Sequence, residues 1–162
     1  ILMSLTTQHM YDLASHHAQL EVQHDFEGVL DTMTEDAYYE FYPNQIHVTG
    51  RETLKAMWNQ IFVNTPGLTG SEFMEGNPQE EWWGLKDSLV IKTDWTSKSP
   101  DGSPIRSQFF AVFRFSGSQI ASETLYVDES MAVLIERIFT AEVQAKPGVT
   151  RFGVGDHSLL RA

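Results

Sequence analysis

The chain contains no cysteine and few basic residues, and each shortage excludes classes of function. Without cysteine there is no disulfide bond, no thiolate nucleophile and no cysteine-ligated zinc. Eleven Lys and Arg residues stand against 22 Asp and Glu residues, which gives a formal net charge of −11 at pH 7. A chain of this charge repels phosphate backbones and anionic lipid. We therefore expect no nucleic acid and no membrane surface as a partner.

Long hydrophobic runs are also absent. No apolar stretch approaches the roughly 18 residues that a membrane-spanning helix needs, and the first residues, ILMSLTTQHM, lack a basic segment followed by a long apolar one. A cytoplasmic protein is therefore expected. With 162 residues, 41% of them hydrophobic, the chain has the content of one domain with a sizeable core. We expect residues 1–140 to form this domain and residues 141–162 to form an extension that packs on it or on a partner subunit.

Helical spacing of apolar residues dominates the first part of the chain. Apolar residues recur at three- and four-residue steps over residues 6–24, 25–33 and 51–64, which predicts three amphipathic helices. His17 lies on the apolar stripe of the first helix, and Trp58 lies on that of the third. A buried histidine with one satisfied hydrogen bond and a histidine in a pocket are equally open interpretations of His17.

Between the second and third helices, the sequence AYYEFYP at residues 37–43 alternates like a β-strand that proline ends. Tyr39 and Phe41 fall on one face of this strand, and the residues between and after them fall on the other. Aromatic residues at strand spacing are more often plain core than binding surface. Both interpretations of the inner face, core and pocket wall, stay open at this point.

The second half of the chain alternates as an antiparallel meander. Strands are predicted over residues 72–85, 87–98, 105–115 and 120–129. Their alternation produces one apolar face that includes Trp95, Phe109 and Val127, and Glu123 falls on the same face. Burying an unpaired carboxylate is costly and usually shifts its pKa instead. Because the neighbouring strands offer no basic residue on that face, Glu123 is the leading candidate for a functional residue.

The order helix, helix, strand, helix and meander resembles the nuclear transport factor 2-like superfamily, which includes ketosteroid isomerases and SnoaL-like polyketide cyclases. Three segments carry the resemblance: HDFEGVLDTMTEDAYYEFYP, VTGRETLKAMWNQIF and FRFSGSQIASETLYVD. It implies an α+β, cystatin-like fold in which a curved antiparallel sheet wraps around the N-terminal helices and leaves a cone-shaped central pocket. It also implies a homodimer that pairs through the outer face of the sheet.

The same resemblance argues against steroid isomerisation by the known mechanism. Ketosteroid isomerases place a general-base Asp just before the proline that ends the first strand, where this chain has Phe41 and Tyr42. The positions similar to their oxyanion-hole Asp and Tyr hold Ala111 and His17. SnoaL-like cyclases instead have an acid on the last strand that faces the cavity, which is the kind of place that Glu123 occupies.

The sequence therefore predicts a SnoaL-like enzyme that performs acid/base chemistry without a cofactor on an apolar, carbonyl-bearing small molecule, by isomerisation, cyclisation or dehydration. Glu123 is expected to be the general acid/base, with His17 as its polar partner across the cavity. The expected substrate-binding residues are Trp58, Phe41, Tyr39, Trp95, Phe109, Met57, Met33 and Val127. The alternative is a non-catalytic ligand-binding or dimerisation module of the same fold.

A metal site is not expected. His9, His16, His17 and His24 are numerous, but His9 and His16 lie two helical turns apart, rather than the single turn of a two-histidine helical site. No acid completes a known pattern around them.

Overall fold

The computed structural model describes residues 5–64, 79–98 and 103–153. The helices are α1 (Thr7–Val22), α2 (Phe26–Asp31), α3 (Arg51–Asn59), α4 (Glu129–Ile138) and α5 (Ala141–Gln144), and a π-helical turn, Gln60–Asn64, continues α3. The strands are β1 (Met33–Tyr42), β2 (Ile46–Thr49), β3 (Gln79–Leu85), β4 (Ser88–Lys98), β5 (Pro104–Ser116), β6 (Gln119–Val127) and β7 (Val149–Arg151). None of the described helices has the length and apolar character to cross a bilayer.

One seven-stranded sheet forms the wall of the fold, in the order β3-β4-β5-β6-β1-β2-β7. It curves without closing, and the N-terminal helices belong to the same α+β fold, so the predicted fold class is confirmed. Neighbouring strands run antiparallel, with the exception of β1 and β6, which run parallel. In that parallel pair Tyr39 lies opposite Glu123. The two side chains therefore stand next to each other on the same face of the sheet.

Four helices begin where the sequence supplies a capping side chain. The capping residues of α1, α2, α4 and α5 are Thr6, Asp25, Asp128 and Thr140. Each side chain accepts a hydrogen bond from the backbone N–H three residues further on, and such a cap contributes about 0.5–2 kcal/mol. On α1, the buried residues Met10, Ala14 and His17 follow one another at helical steps. This spacing directs His17 into the interior.

The second helix is shorter than its spacing predicts. It ends at Asp31, and Met33 is the first residue of β1 rather than the last of a helix. The Thr32 hydroxyl donates to the Val29 carbonyl oxygen at 2.6 Å. A side chain therefore bonds to one of the last carbonyl groups of the helix. The third helix is likewise regular only to Asn59, because a π-helical turn takes over.

Several elements were not predicted. The strand β2 pairs with β1, and α4 follows the meander directly. Within the extension predicted at residues 141–162, Ala141–Gln144 forms α5, and Val149–Arg151 forms β7, which pairs antiparallel with β2. Residues 72–78 of the strand predicted at 72–85 lie outside the described residues, as does the chain from residue 154 onward.

Candidate functional site

A cavity of about 300 Å³ lies inside the curve of the sheet. It is walled by α1, the end of α3, the strands β1 and β3–β6, and α4, and its lining is mostly apolar. This volume and character are typical of small-molecule sites. The lining residues that can ionise, within the described part of the chain, are Glu21, Tyr39, Glu80 and Glu123.

The structure brings Glu123 together with most of the predicted substrate-binding residues. Those that line the cavity are Trp58, Phe41, Tyr39, Trp95, Phe109 and Val127. Met33 and Met57 do not line it, because both are buried in the hydrophobic core. His17 is also not on the cavity wall, and it does not face Glu123 across the cavity as predicted. It is fully buried behind the wall, next to Tyr39.

Both ring nitrogens of His17 contact hydroxyl groups. Nδ1 lies 2.6 Å from the Thr32 hydroxyl oxygen, and Nε2 lies 2.6 Å from the Tyr39 hydroxyl oxygen. The Thr32 hydroxyl has one hydrogen, which it donates to the Val29 carbonyl. It must therefore accept from His17, so that Nδ1 carries a proton.

The Tyr39 hydroxyl joins His17 to the carboxylate of Glu21. It donates to Glu21 Oε1 at 2.9 Å, which uses its one hydrogen. The contact with His17 Nε2 then requires a proton on Nε2 as well, so the hydrogen bonds indicate an imidazolium. His17 Nε2 lies 3.4 Å from Glu21 Oε1 and 3.8 Å from Glu123 Oε2. A cationic ring is thus held beside two carboxylates.

The charges of this cluster follow from burial and from mutual attraction. Burial raises the pKa of Glu123 to about 7, repulsion from Glu21 adds to the rise, and attraction to His17 opposes it. Burial alone would lower the pKa of His17, but attraction to Glu21 and then Glu123 outweighs it and raises the pKa. Burial and the two carboxylates raise the pKa of Tyr39 well above its usual value. Near neutral pH, Glu123 is therefore the cavity group that exchanges a proton, and it titrates together with its neighbours.

Trp58 lines the cavity with its ring and carries a buried hydrogen-bond donor. The indole is fully buried, and its ring lies edge-on to those of His17 and Tyr39, at centroid distances of 6.4 and 6.0 Å. Its Nε1–H makes no hydrogen bond to any residue that the structure describes. The Nε1 atom itself is buried from solvent, so Trp58 contributes ring surface to the cavity wall rather than an accessible donor.

The same cluster has donor atoms that a metal ion could use. His17 and one carboxylate oxygen each from Glu21 and Glu123 lie within 4.8 Å of one another. The Tyr39 hydroxyl, however, already bonds to His17 and Glu21. Hydrogen bonds through Tyr39 therefore already connect His17 and Glu21.

Glu21 is a candidate site residue that the sequence reasoning missed. It lines the cavity and accepts a hydrogen bond from Tyr39. The available signal was its spacing, because Glu21 follows His17 by one helical turn and residues four apart on a helix are neighbours.

The sequence matches a known protein family, and the fold matches solved structures. A family model, the SnoaL-like domain, matches residues 14–123, whereas a search of curated proteins found no match. A protein with a cystatin-like fold from Silicibacter pomeroyi DSS-3 aligns with a TM-score of 0.63 at 12% identity, over 90% of this chain and 100% of that one. A predicted SnoaL-like polyketide cyclase from Jannaschia sp. CCS1 aligns with a TM-score of 0.59 at 16% identity, over 90% and 98%.

A third structure, from Catenulispora acidiphila DSM 44928, has a ketosteroid isomerase-like fold and was solved with trimethylamine. It aligns with a TM-score of 0.52 at 15% identity, over 73% of this chain and 86% of that one. At such identities the likeness shows a shared fold alone. The residues that the family model matches run from α1 to Glu123, so they include all three strongly coupled groups His17, Glu21 and Glu123.

Proposed function

Because this chain belongs to the SnoaL-like domain family, we propose that it is an enzyme that transfers a proton on an apolar, carbonyl-bearing small molecule, by acid/base chemistry without a cofactor. The reaction class covers isomerisation, cyclisation and dehydration. The observation that carries the proposal is Glu123, a buried carboxyl group on the cavity wall whose pKa burial raises to about 7. A general acid/base works best when its pKa lies near the working pH.

Glu123 is the catalytic residue of this proposal. Its ionised form takes a proton from a carbon next to the substrate carbonyl, and its protonated form returns a proton to another atom of the same molecule. The apolar walls formed by Phe41, Trp95 and Phe109 hold the hydrocarbon body and exclude water.

His17 and Tyr39 act as positioning residues behind and beside Glu123. Thr32 fixes the orientation of the imidazole ring through Nδ1, and Nε2 directs its charge toward Tyr39 and the two carboxylates. This charge opposes the effect of burial on the pKa of Glu123. Without it, Glu123 would stay protonated to a higher pH and would serve poorly as a base.

A non-catalytic ligand carrier is the competing hypothesis. A carrier of neutral ligands needs an apolar cavity but has no use for a cavity carboxyl group that titrates near neutral pH. Carboxyl titration by NMR, with side-chain carbon labelling, therefore separates the two functions. A Glu123 that titrates in the range of an exposed glutamate would remove the support for catalysis.

The direct test of the proposed chemistry is exchange of carbon-bound hydrogen for solvent deuterium. Wild-type protein is incubated in D₂O with a panel of cyclic and aromatic ketones, and loss of the signals next to the carbonyl is followed by proton NMR. We expect at least one ketone to exchange, with a rate that falls about 10²–10⁴-fold in Glu123→Gln. The matched control is Glu40→Gln, which alters the same side-chain type on the opposite face of the sheet and should leave the rate unchanged. Equal rates in wild type and Glu123→Gln for every ketone would contradict the proposal.

A further inference from the structure

The cavity wall carries negative charge and no positive charge. Among the described residues that line it, the charged side chains are Glu21, Glu80 and Glu123, and none is Lys or Arg. Behind the wall, His17 supplies a single positive charge to Glu21 and Glu123. When both carboxylates are ionised, one negative charge of this buried group has no counter-charge within the described part of the protein. A buried charge of this kind is unstable unless a partner is supplied.

The rest of the wall is aromatic and aliphatic. Rings from several elements line the cavity, namely Tyr39, Phe41, Trp58, Phe62, Trp95 and Phe109. Aromatic rings attract cations through the negative charge of their faces, and this attraction strengthens when water is excluded. Ionised carboxylates with aromatic walls are the combination that binds organic ammonium groups.

We propose that the cavity binds apolar organic cations, with an ammonium group against Glu21 and Glu123 and a hydrocarbon body along the aromatic walls. This inference rests on the proposed function and deepens it, since it assigns the carbonyl-bearing substrate a positive charge. A bound cation holds Glu123 in its ionised form, which is the form that accepts a proton from carbon. Anionic substrates are excluded, because like charges repel strongly in a cavity of low dielectric constant.

The arrangement favours an organic cation over an inorganic one. The Tyr39 hydroxyl already bonds to His17 and Glu21, so a metal ion would have to displace a hydrogen bond of 2.6 or 2.9 Å. The cavity volume of about 300 Å³ and its mostly apolar lining suit a molecule with several carbon atoms rather than a hydrated ion.

Binding of a cation is linked to the proton of Glu123. The titratable groups that face Glu123 are His17 and Glu21 from α1 and Tyr39 from β1, and Glu80 from β3 lines the same cavity. Burial raises the pKa of Glu123 to about 7, so a cation that binds the ionised form releases a proton below this pH. With one proton released per cation, affinity should rise about tenfold between pH 6 and pH 8.

Two probes of nearly identical shape test the proposal. Phenyltrimethylammonium carries a permanent charge, and tert-butylbenzene is its neutral carbon analogue, so only the protein can introduce a pH dependence. Dissociation constants are measured by NMR titration at pH 6 and pH 8 with wild type, Glu123→Gln and the control Glu40→Gln, and benzoate serves as the anion. We expect the cation to bind more tightly than the hydrocarbon at pH 8. The affinity for the cation should rise about tenfold from pH 6 to pH 8 in wild type and in Glu40→Gln, but not in Glu123→Gln. Glu123→Gln should still bind tert-butylbenzene, which shows that its cavity is intact.

Three results would overturn the inference: tert-butylbenzene or benzoate binding as tightly as the cation at pH 8, a pH dependence that persists in Glu123→Gln, or displacement of the cation by millimolar Mg²⁺ or Zn²⁺. These results are distinct from failure of the proposed function. If the hydrocarbon binds as well as the cation while Glu123→Gln still abolishes ketone exchange, only the charge of the substrate is wrong. If the cation binds as expected but no ketone exchanges, the site binds cations without catalysis.

Discussion

The two faces of the sheet carry the same three residue types in different surroundings. On the inner face Tyr39, Glu123 and the adjacent His17 are all buried. On the outer face Tyr38, Glu40 and His47 form a similar group, with His47 Nδ1 3.3 Å from Glu40 Oε1 and the rings of Tyr38 and His47 4.9 Å apart. The side chains of Glu40 and His47 are 26% and 28% exposed, whereas that of His17 is 1% exposed.

Burial, rather than residue type, gives the inner group its chemistry. Water screens the outer pair, and exposed ion pairs contribute only about 0–1 kcal/mol. In the interior, each charge depends on the others, and removing one partner of a buried pair costs about 3–5 kcal/mol. Matched substitutions on the two faces therefore measure how strongly burial changes the contribution of the same residue type to stability.

The largest expected difference is between the two histidines. His17→Leu leaves Glu21, Tyr39 and Thr32 without their shared partner, and we expect it to lower the free energy of unfolding by about 3–5 kcal/mol. His47→Leu removes only a half-exposed pair and should cost about 1 kcal/mol or less. Urea denaturation at pH 7 measures both. Losses of similar size would show that the two groups are energetically alike.

The two tyrosines sharpen the comparison at the level of one hydroxyl group. Tyr39→Phe removes the oxygen that bridges His17 and Glu21, so it should destabilise the fold by about 1–3 kcal/mol. Tyr38→Phe is its counterpart on the outer face and should be close to neutral. Thermal and urea denaturation of the two variants provide the comparison, and a neutral Tyr39→Phe would show that its hydroxyl is not needed to hold the cluster together.

The inner group also predicts how stability depends on pH. Because burial raises the pKa of Glu123 to about 7, the folded state binds more protons than the unfolded state between the ordinary glutamate pKa and pH 7. Stability should therefore fall as the pH rises through this range, by at most about 1.4 kcal/mol per pH unit for this group. The raised pKa of His17 has the same sign, since its stabilising charge is lost as the pH rises further.

Glu123→Gln removes the contribution of Glu123 to this pH dependence, so the variant should lose less stability than wild type between pH 5.5 and pH 7.5. Glu40→Gln is the matched control on the outer face and should follow the wild-type curve. Melting temperatures measured over this range give the comparison. A Glu123→Gln curve as steep as that of wild type would contradict the assignment of the titration to Glu123.

The smallest effect on the fold is expected from the outer face, where we propose that two copies of the chain form a homodimer. Phe110 and Tyr126 are 36% and 48% exposed, and exposed aromatic patches on a sheet are typical of interfaces. Tyr126→Glu should give monomers in analytical ultracentrifugation while changing monomer stability by about 0.5 kcal/mol or less. Val133→Glu, at an exposed position on α4, is the control and should leave the dimer intact. Wild-type protein that sediments as a monomer at micromolar concentration would contradict the proposal.

The sequence predicts those parts of the site that depend on regular alternation. Every second side chain along β6 is predicted to face inward, and Glu123 stands out because it is a carboxylate at one of these apolar positions. The structure places it on the cavity wall. Tyr39 and Phe41 follow from the same rule. A strand face needs only a period of two residues, so local sequence is enough to assign it.

The remaining parts depend on contacts between elements that are distant in the sequence. Met33 continues a helical spacing, but the helix ends earlier, at the point where the Thr32 hydroxyl bonds to both Val29 and His17. Tyr39 connects His17 and Glu21 only because β1 passes beside α1. The strand β7 forms because β2 presents a free edge to the tail. Such partners are fixed by the packed structure and not by the spacing of residues along the chain.

Helix α4 is a place where the volume of the cavity can change without any change at Glu123. Met131, Ile135 and Ile138 on this helix line the cavity, yet they lie beyond residues 14–123, the part that the family model matches. His17, Glu21 and Glu123 all lie within that part. Exchanges between large and small side chains on α4 would therefore lengthen or shorten the space for a ligand and leave this buried cluster in place.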